Sequence, residues 1–406
     1  MSLSLLKTRT LIAATFGHFS VDMYSGMLPL ILLALTEKLG LTYAQVGLAS
    51  MCYSLASSLS QPLFGWIGDR RGSRPMAVLG VAAIATAVGV MRFVDNFTIL
   101  ILLGVIAGLG SGAFHPQGAM LAAQTPPERR GSAASIYMLG GNGGYAFGPI
   151  LGMLIFALAG GYMPETLAII GLAQAAFMFV LLAEHQNQFN RGTQGKIMAA
   201  RTMAPVAVIV MLTVIIFFRS WTSSAVSTYV PQVFKAFGFT NAEAGTILSA
   251  VLFPLAIGGL IGGALSDKIG RRSVLIVSTA ISGPALWMLL HDTSATAYVW
   301  AAILGLTAGA STPVTLVMAQ SLIPRGLGLM SGIVLGFSFI AGAIGTGVTG
   351  FAADQIGLAT TMNLNALLPM LAAGLALFLP DDRPGQTSAE VVAEAELEPG
   401  VPTQPQ

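Results

Sequence analysis

His18 and Asp22 lie four residues apart in the otherwise apolar stretch Phe16-Gly-His-Phe-Ser-Val-Asp-Met23. On a helix that spacing puts imidazole and carboxylate on one face, a turn apart. Asp22 so placed can take up a proton, and an imidazole can lie on a proton path. His115, followed by Pro116 and Gln117, offers a second imidazole. Arg219, in Phe217-Phe-Arg-Ser-Trp221, offers a planar guanidinium suited to an anion. Asn142, inside a glycine-rich stretch, offers an amide to a substrate or to a neighbouring helix. No nucleophile-and-base constellation, no H-E-x-x-H and no P-loop lysine pattern occurs. Gly108-x-Gly110-x-x-Ala113 sits in an apolar stretch with no strand before it, so it does not read as a dinucleotide loop. The single cysteine, Cys52, excludes an intrachain disulfide and a thiolate metal cluster. Proton exchange and anion recognition are the chemistry on offer, with no catalytic residue, metal or cofactor expected.

These few polar groups are set in a chain built for lipid. Of 406 residues 54% are apolar and only 9% charged, with 48 glycines and a mean hydropathy of +0.78. A soluble domain carries about a quarter charged residues. A soluble enzyme, a disordered protein and a nucleic-acid binder are all excluded. Twelve apolar stretches of spanning length follow one another, at about 11–35, 44–67, 75–94, 98–123, 131–158, 163–184, 204–232, 242–265, 273–291, 296–322, 327–352 and 358–379. Their many Gly and Pro residues suit packed membrane helices. The first stretch is too long for a signal peptide and no cleavage site follows it. The ten-residue alternation of a membrane barrel is missing. An all-α polytopic membrane protein is predicted.

Basic residues set the orientation. With a cytoplasmic N-terminus, Lys38, Arg92 and Lys235 fall outside, Arg219 falls within a span, and the other fifteen of the 19 lie inside. Both chain ends are then cytoplasmic. An unpaired guanidinium at mid-bilayer costs about 3 kcal/mol or more, so Arg219 must face a cavity or a partner. Asp22 lies at similar depth in the first span, and the two are expected to approach each other near a central cavity. The bland alternative is a static ion pair. For His115, it is that His115 or Gln117 caps the carbonyl freed by Pro116. His185 and His291, at span ends, read as solvated or capping residues.

The polar break at 185–203 divides the spans six and six, and the halves echo each other. Gly65, Asp69, Arg70, Gly72 and Arg74 return as Gly263, Asp267, Lys268, Gly270 and Arg272, with Arg271 alongside, at an offset of 198. Gly108, Pro116 and Gly148 return as Gly305, Pro313 and Gly345 at an offset of 197. Repeated halves facing each other across a bilayer describe alternating access to a midplane site. The expected organisation is an N-terminal six-helix bundle (1–184), a cytoplasmic linker (185–203), a C-terminal six-helix bundle (204–380) and a disordered acidic cytoplasmic tail (381–406) in which six acidic residues face Arg383 alone.

The duplicated G-x-x-x-D-[RK]-x-G-x-[RK] loop resembles the hallmark loop of the major facilitator superfamily. Gly140, Gly144, Gly148, Pro149 and Gly152 in the fifth span resemble the antiporter motif of its exporters. His18-x-x-x-Asp22, Phe114-His115-Pro116, Gly140-Gly141-Asn142 and Phe378-Leu-Pro-Asp381 together resemble its fosmidomycin-resistance branch of bacterial drug exporters. The match runs over about 1–382. It implies two pseudo-symmetric six-helix bundles, a gating role for the repeated cytoplasmic loops, and a cavity lined by spans 1, 4, 7 and 10. It further implies a monomeric secondary transporter in the bacterial inner membrane, which exports a small drug-like or anionic compound in exchange for protons. Its partners are then the lipid bilayer, the substrate and protons, with no nucleic acid. The nearest rival is a proton-coupled importer of a sugar or other metabolite; a membrane-embedded enzyme is more distant, with His18, Asp22 and His115 its only candidates. One departure stands out. Many proton-driven exporters of the superfamily carry an arginine four residues before a glycine early in span 4, where this chain has Leu100 before Gly104. Proton coupling must therefore use other groups.

Overall fold

The computed structural model describes residues 9–124, 130–159, 163–182, 205–322 and 327–380. The linker and tail expected at 185–203 and 381–406, and His185 with them, lie outside the described residues. All described elements are helical: α1 (Arg9–Leu39), α2 (Tyr43–Arg71), α3 (Ser73–Val90) with a short 3-10 turn, α4 (Phe97–Ala123), α5 (Arg130–Ala159), α6 (Met163–Leu181), α7 (Val206–Ala236), α8 (Asn241–Ile269), α9 (Arg271–His291), α10 (Ala297–Leu322), α11 (Leu327–Ile356), α12 (Leu358–Asn365) and α13 (Leu367–Ala376). The expected spans are all present and mostly run a few residues longer. The last is broken at Ala366 into α12 and α13, which together make one spanning unit. Nine spans among the described residues are long and apolar enough to cross a bilayer. α2, α5 and α6 are outside that set; Ser54, Ser57, Ser58, Ser60 and Gln61 dilute the hydropathy of α2, and α6 contributes the shorter apolar helix Thr166–Leu181.

Local signals repeat between the halves. Thr42 and Gln45 form a reciprocal capping box on α2, as Thr240 and Glu243 do on α8. Gly72 and Gly270 take φ of 91° and 89° at the α2–α3 and α8–α9 corners, a conformation side chains rarely adopt. Within the first half α1 lies on α5, and α4 on α2 and α3; within the second, α10 lies on α8 and α9, and α7 on α11. The fifth-span glycines form the α1–α5 seam. A Cβ on Gly140, Gly144 or Gly148 would strike the backbone carbonyl of Thr15, Phe19 or Met23, each four residues on, and one on Gly152 would press on Met27. Such small-residue faces let membrane helices approach backbone to backbone.

Ties between the halves gather at one end. The Asp354 carboxylate, near the end of α11, accepts from the amides of Tyr43 (2.8 Å) and Ala44 (3.0 Å), the first residues of α2. A carboxylate there satisfies orphan donors and meets the positive pole of the helix. Lys235 pairs with Glu37 at 2.7 Å, and Tyr229 donates to carbonyls of Tyr43 and Thr346, both at 3.1 Å. Asp69 and Asp267 lie exposed at the opposite end.

Candidate functional site

Half-way along α1, Asp22 bridges two imidazoles. His18 Nε2 lies 3.2 Å from its Oδ2, and His115 Nε2, from α4, lies 3.3 Å from its Oδ1. Each ring is held from behind. His18 Nδ1 is 2.9 Å from the carbonyl of Tyr137 on α5, and the two rings stack at 4.1 Å. His115 Nδ1 is 2.8 Å from the carbonyl of Ser111. The Tyr137 hydroxyl donates to the His115 carbonyl at 3.3 Å, closing the circuit between α4 and α5. His18 is 6% exposed, whereas the side chains of Asp22 and His115 are 20% and 25% exposed, so the cluster keeps an opening. The three ligand-type atoms lie within 4.8 Å of one another. Hydrogen bonding already accounts for that grouping, and no metal is assigned.

Neither expected bland role fits His115 or Gln117. Pro116 frees the carbonyl of Gly112, but His115 bonds Ser111, and Gln117 reaches across to the Phe64 carbonyl of α2 at 2.8 Å. Gly141 is a site residue that sequence reading passed over. A Cβ there would meet the His18 ring and lie 2.7 Å from Asp22 Oδ2. Gly141→Ala is therefore expected to displace the cluster and lower transport by about tenfold or more, at the roughly 1–3 kcal/mol typical of overpacking. Transport per folded molecule in vesicles, set against thermal stability, checks it.

Arg219 does not reach Asp22, which corrects the expected approach. Its Nη1 donates to Thr312 Oγ1 on α10 at 2.8 Å, and its Nε has no partner. It borders a small cleft inside the second half whose lining mixes hydroxyl residues such as Thr222, Ser223 and Ser282 with apolar ones such as Val226, Val251 and Leu304. The reason lies in the repeat. Asp22 and Arg219 differ by 197, as do His115 and Thr312, the same offset that relates Gly108 to Gly305. Each charge thus occupies the same position in its own bundle and turns to its own fourth or tenth span. One half carries a carboxylate on an imidazole; the other carries a guanidinium on a hydroxyl.

The remaining candidates lie apart from the cluster. Asn142 is exposed on α5 and is no member of its hydrogen-bonded circuit. In the repeated loops, Arg74 donates to the Phe179 carbonyl at 3.1 Å and Arg272 to that of Leu377, both 105 residues on, so each ties the end of its half's last span. Arg70 lies over Trp66 at 3.8 Å, Lys268 is exposed, and Gly65 and Gly263 face Pro116 and Pro313 at matching positions. His291 bonds the Trp287 carbonyl of its own helix at 2.8 Å.

A family model described as Major Facilitator Superfamily matches residues 11–218 and 212–400. The chain is 30% identical over 381 residues to the fosmidomycin resistance protein of Escherichia coli (strain K12), covering 91% of this chain and 92% of that one. In structure it resembles a bacterial homolog of the human lysosomal transporter Spinster in an inward-facing, unoccupied conformation. There the TM-score is 0.77 at 15% identity, over 98% of this chain and 100% of the other. It also resembles a D-xylose–proton symporter, with a TM-score of 0.74 at 15% identity over 92% and 98% of the two chains.

Proposed function

The chain belongs to the major facilitator superfamily, and from that premise we propose that it exports a small drug-like or anionic compound in exchange for protons. Members of this family are multi-pass membrane transporters of small molecules. The observation that carries the finer reading is the pair of equivalent polar centres of opposite character. Asp22 with His18 and His115 exchanges protons in one half, while Arg219 among hydroxyls receives an anion in the other. The fosmidomycin resistance protein supplies the substrate class, and the glycine face of α5 favours export over uptake through its resemblance to the antiporter motif. The repeated loops, with Asp69 and Asp267, serve as the cytoplasmic gate, and the protein works as a monomer in the bacterial inner membrane.

Orientation follows the basic residues, with both termini cytoplasmic and the Asp354 end outside. The conformer described is then sealed outwards, and Asp354 is its latch. Replacing it by Asn (Asp354→Asn) removes the charge-assisted bonds to α2, worth about 1.5–3 kcal/mol. It should raise outward opening by about tenfold or more. The measurement is the reaction rate of Thr228→Cys, in a Cys52→Ser background, with an impermeant maleimide added from outside. An unchanged rate removes Asp354 from the gate.

The test of function is flux in proteoliposomes under an imposed pH gradient, with a compound panel that includes fosmidomycin. Accumulation on the acidic side supports export by antiport. Accumulation on the alkaline side indicates a symporter, and flux indifferent to the gradient removes proton coupling.

A further inference from the structure

The hydrogen bonds around Asp22 fix more than its neighbours; they count its protons. A backbone carbonyl only accepts, so Nδ1 of His18 carries hydrogen against the Tyr137 carbonyl; Nδ1 of His115 meets the Ser111 carbonyl at 2.8 Å and the Ser111 hydroxyl at 3.3 Å, and the shorter contact assigns it hydrogen too. A neutral imidazole has one N–H. With Nδ1 so committed, Nε2 of both neutral rings is a lone pair, and both lone pairs point at carboxylate oxygens, 3.2 and 3.3 Å away on separate atoms. Acceptor would face acceptor in two places. One proton fills one gap and leaves the other repulsive; neither ring can turn away without losing its carbonyl and, for His18, its stack on Tyr137. Two protons fill both.

We infer that the His18–Asp22–His115 cluster is a two-proton site, in which His18 and His115 each hold one exchangeable proton on Nε2 against opposite oxygens of Asp22. Other titratable groups near the carboxylate are the phenols of Tyr53 on α2 and of Tyr137 and Tyr145 on α5, and a phenol, with an ordinary pKa of about 10, is neutral at physiological pH. Tyr24 on α1 donates to the Leu167 carbonyl of α6. On α7, Arg219 turns to Thr312 and Lys235 pairs with Glu37 of α1; on α8, Glu243 closes the capping box with Thr240; on α3, Arg74 bonds Phe179. None of these contacts supplies a charge to either gap. For transport, and on the antiport reading above, the consequence is entry of two protons for each compound expelled.

Histidine-selective 15N NMR of the full chain in nanodiscs reads the count without transport. The signals of His185 and His291 are assigned by His→Gln variants. Between about pH 9 and about pH 5, a window spanning imidazole titration, His18 and His115 should each gain one Nε2 proton. The two steps should belong to the cluster as a whole. Both neutral rings should show hydrogen on Nδ1, the minor form of free imidazole. His115→Gln should lower the count from two to one, borne by His18, and His18→Gln should leave one on His115. A neutral Nε2–H form for either ring, or only one of the two gaining a proton in the parent protein, overturns the inference. That result would leave antiport standing with a smaller proton count. Flux indifferent to pH in the vesicle experiment would instead remove coupling while the two-proton count held.

Discussion

Asp22→Asn is expected to reduce proton-linked transport by about 100-fold or more, the scale on which a positioned proton-transfer group acts. The change is nearly isosteric, so α1 and its seam with α5 should fold as before. What it removes is the negative charge between His18 and His115. An amide can donate to one Nε2 and accept from the other ring, but it stabilises no imidazolium by charge. The two rings then lose the reason to hold protons inside a low-dielectric bundle, where an unbalanced charge is costly. Binding should survive on the proposal that Arg219, which lies in the other half, receives the anion. The measurement pairs substrate binding to detergent-solubilised protein with uptake driven by a pH gradient. Transport within twofold of the parent would show that protons travel elsewhere, and a joint loss of binding and transport would point to misfolding.

The twelve spans were legible because lipid demands uninterrupted apolar runs of fixed length, and sequence preserves that demand residue by residue. The break at Ala366 was less plain: Pro369 has no N–H for the Asn365 carbonyl, but α1, α2 and α4 carry a proline without breaking, so a proline alone does not single out this span. The His18–Asp22 pair was legible from helical spacing alone, whereas His115 needed the tertiary packing of α4 on α1 before its partner was clear. Sequence depth put Asp22 and Arg219 level and invited a pairing between them. Depth, however, says nothing about azimuth. The signal that separates them was present in the repeat, because an offset of 197 also joins His115 to Thr312 and so gives each charge a partner in its own half. Tyr137 and Ser111 hold the two rings by backbone carbonyls, which any residue supplies, and the stack and hydroxyl bond of Tyr137 emerge only from the packing of α5 on α1 and α4. Gly141 sits among so many glycines with a packing role that its contact with the cluster was hidden. Asp354 reads in sequence as an ordinary loop-proximal acid; only the approach of α2 to α11 gives it two amides to hold.

Arg219→Gln should weaken binding of an anionic compound by about 10- to 100-fold, which corresponds to losing a charged hydrogen bond of roughly 1.5–3 kcal/mol. The glutamine amide can still donate to Thr312, so the local structure of α7 and α10 has a means of surviving. The effect should fall on affinity and leave the proton count at the Asp22 cluster unchanged, since no bond joins Arg219 to it. Arg219→Lys discriminates further. A lysine restores the charge but not the fork of donors, and Nε, the atom now without a partner, has no counterpart in it. If the anion is held by bidentate geometry, Lys should recover only part of the loss; if charge alone matters, recovery should be nearly complete. Neutral compounds provide the control. Were they to lose affinity as much as anions do in Arg219→Gln, the cleft would be collapsing, and the opposite characters of the two half-sites would not divide the labour between proton and substrate.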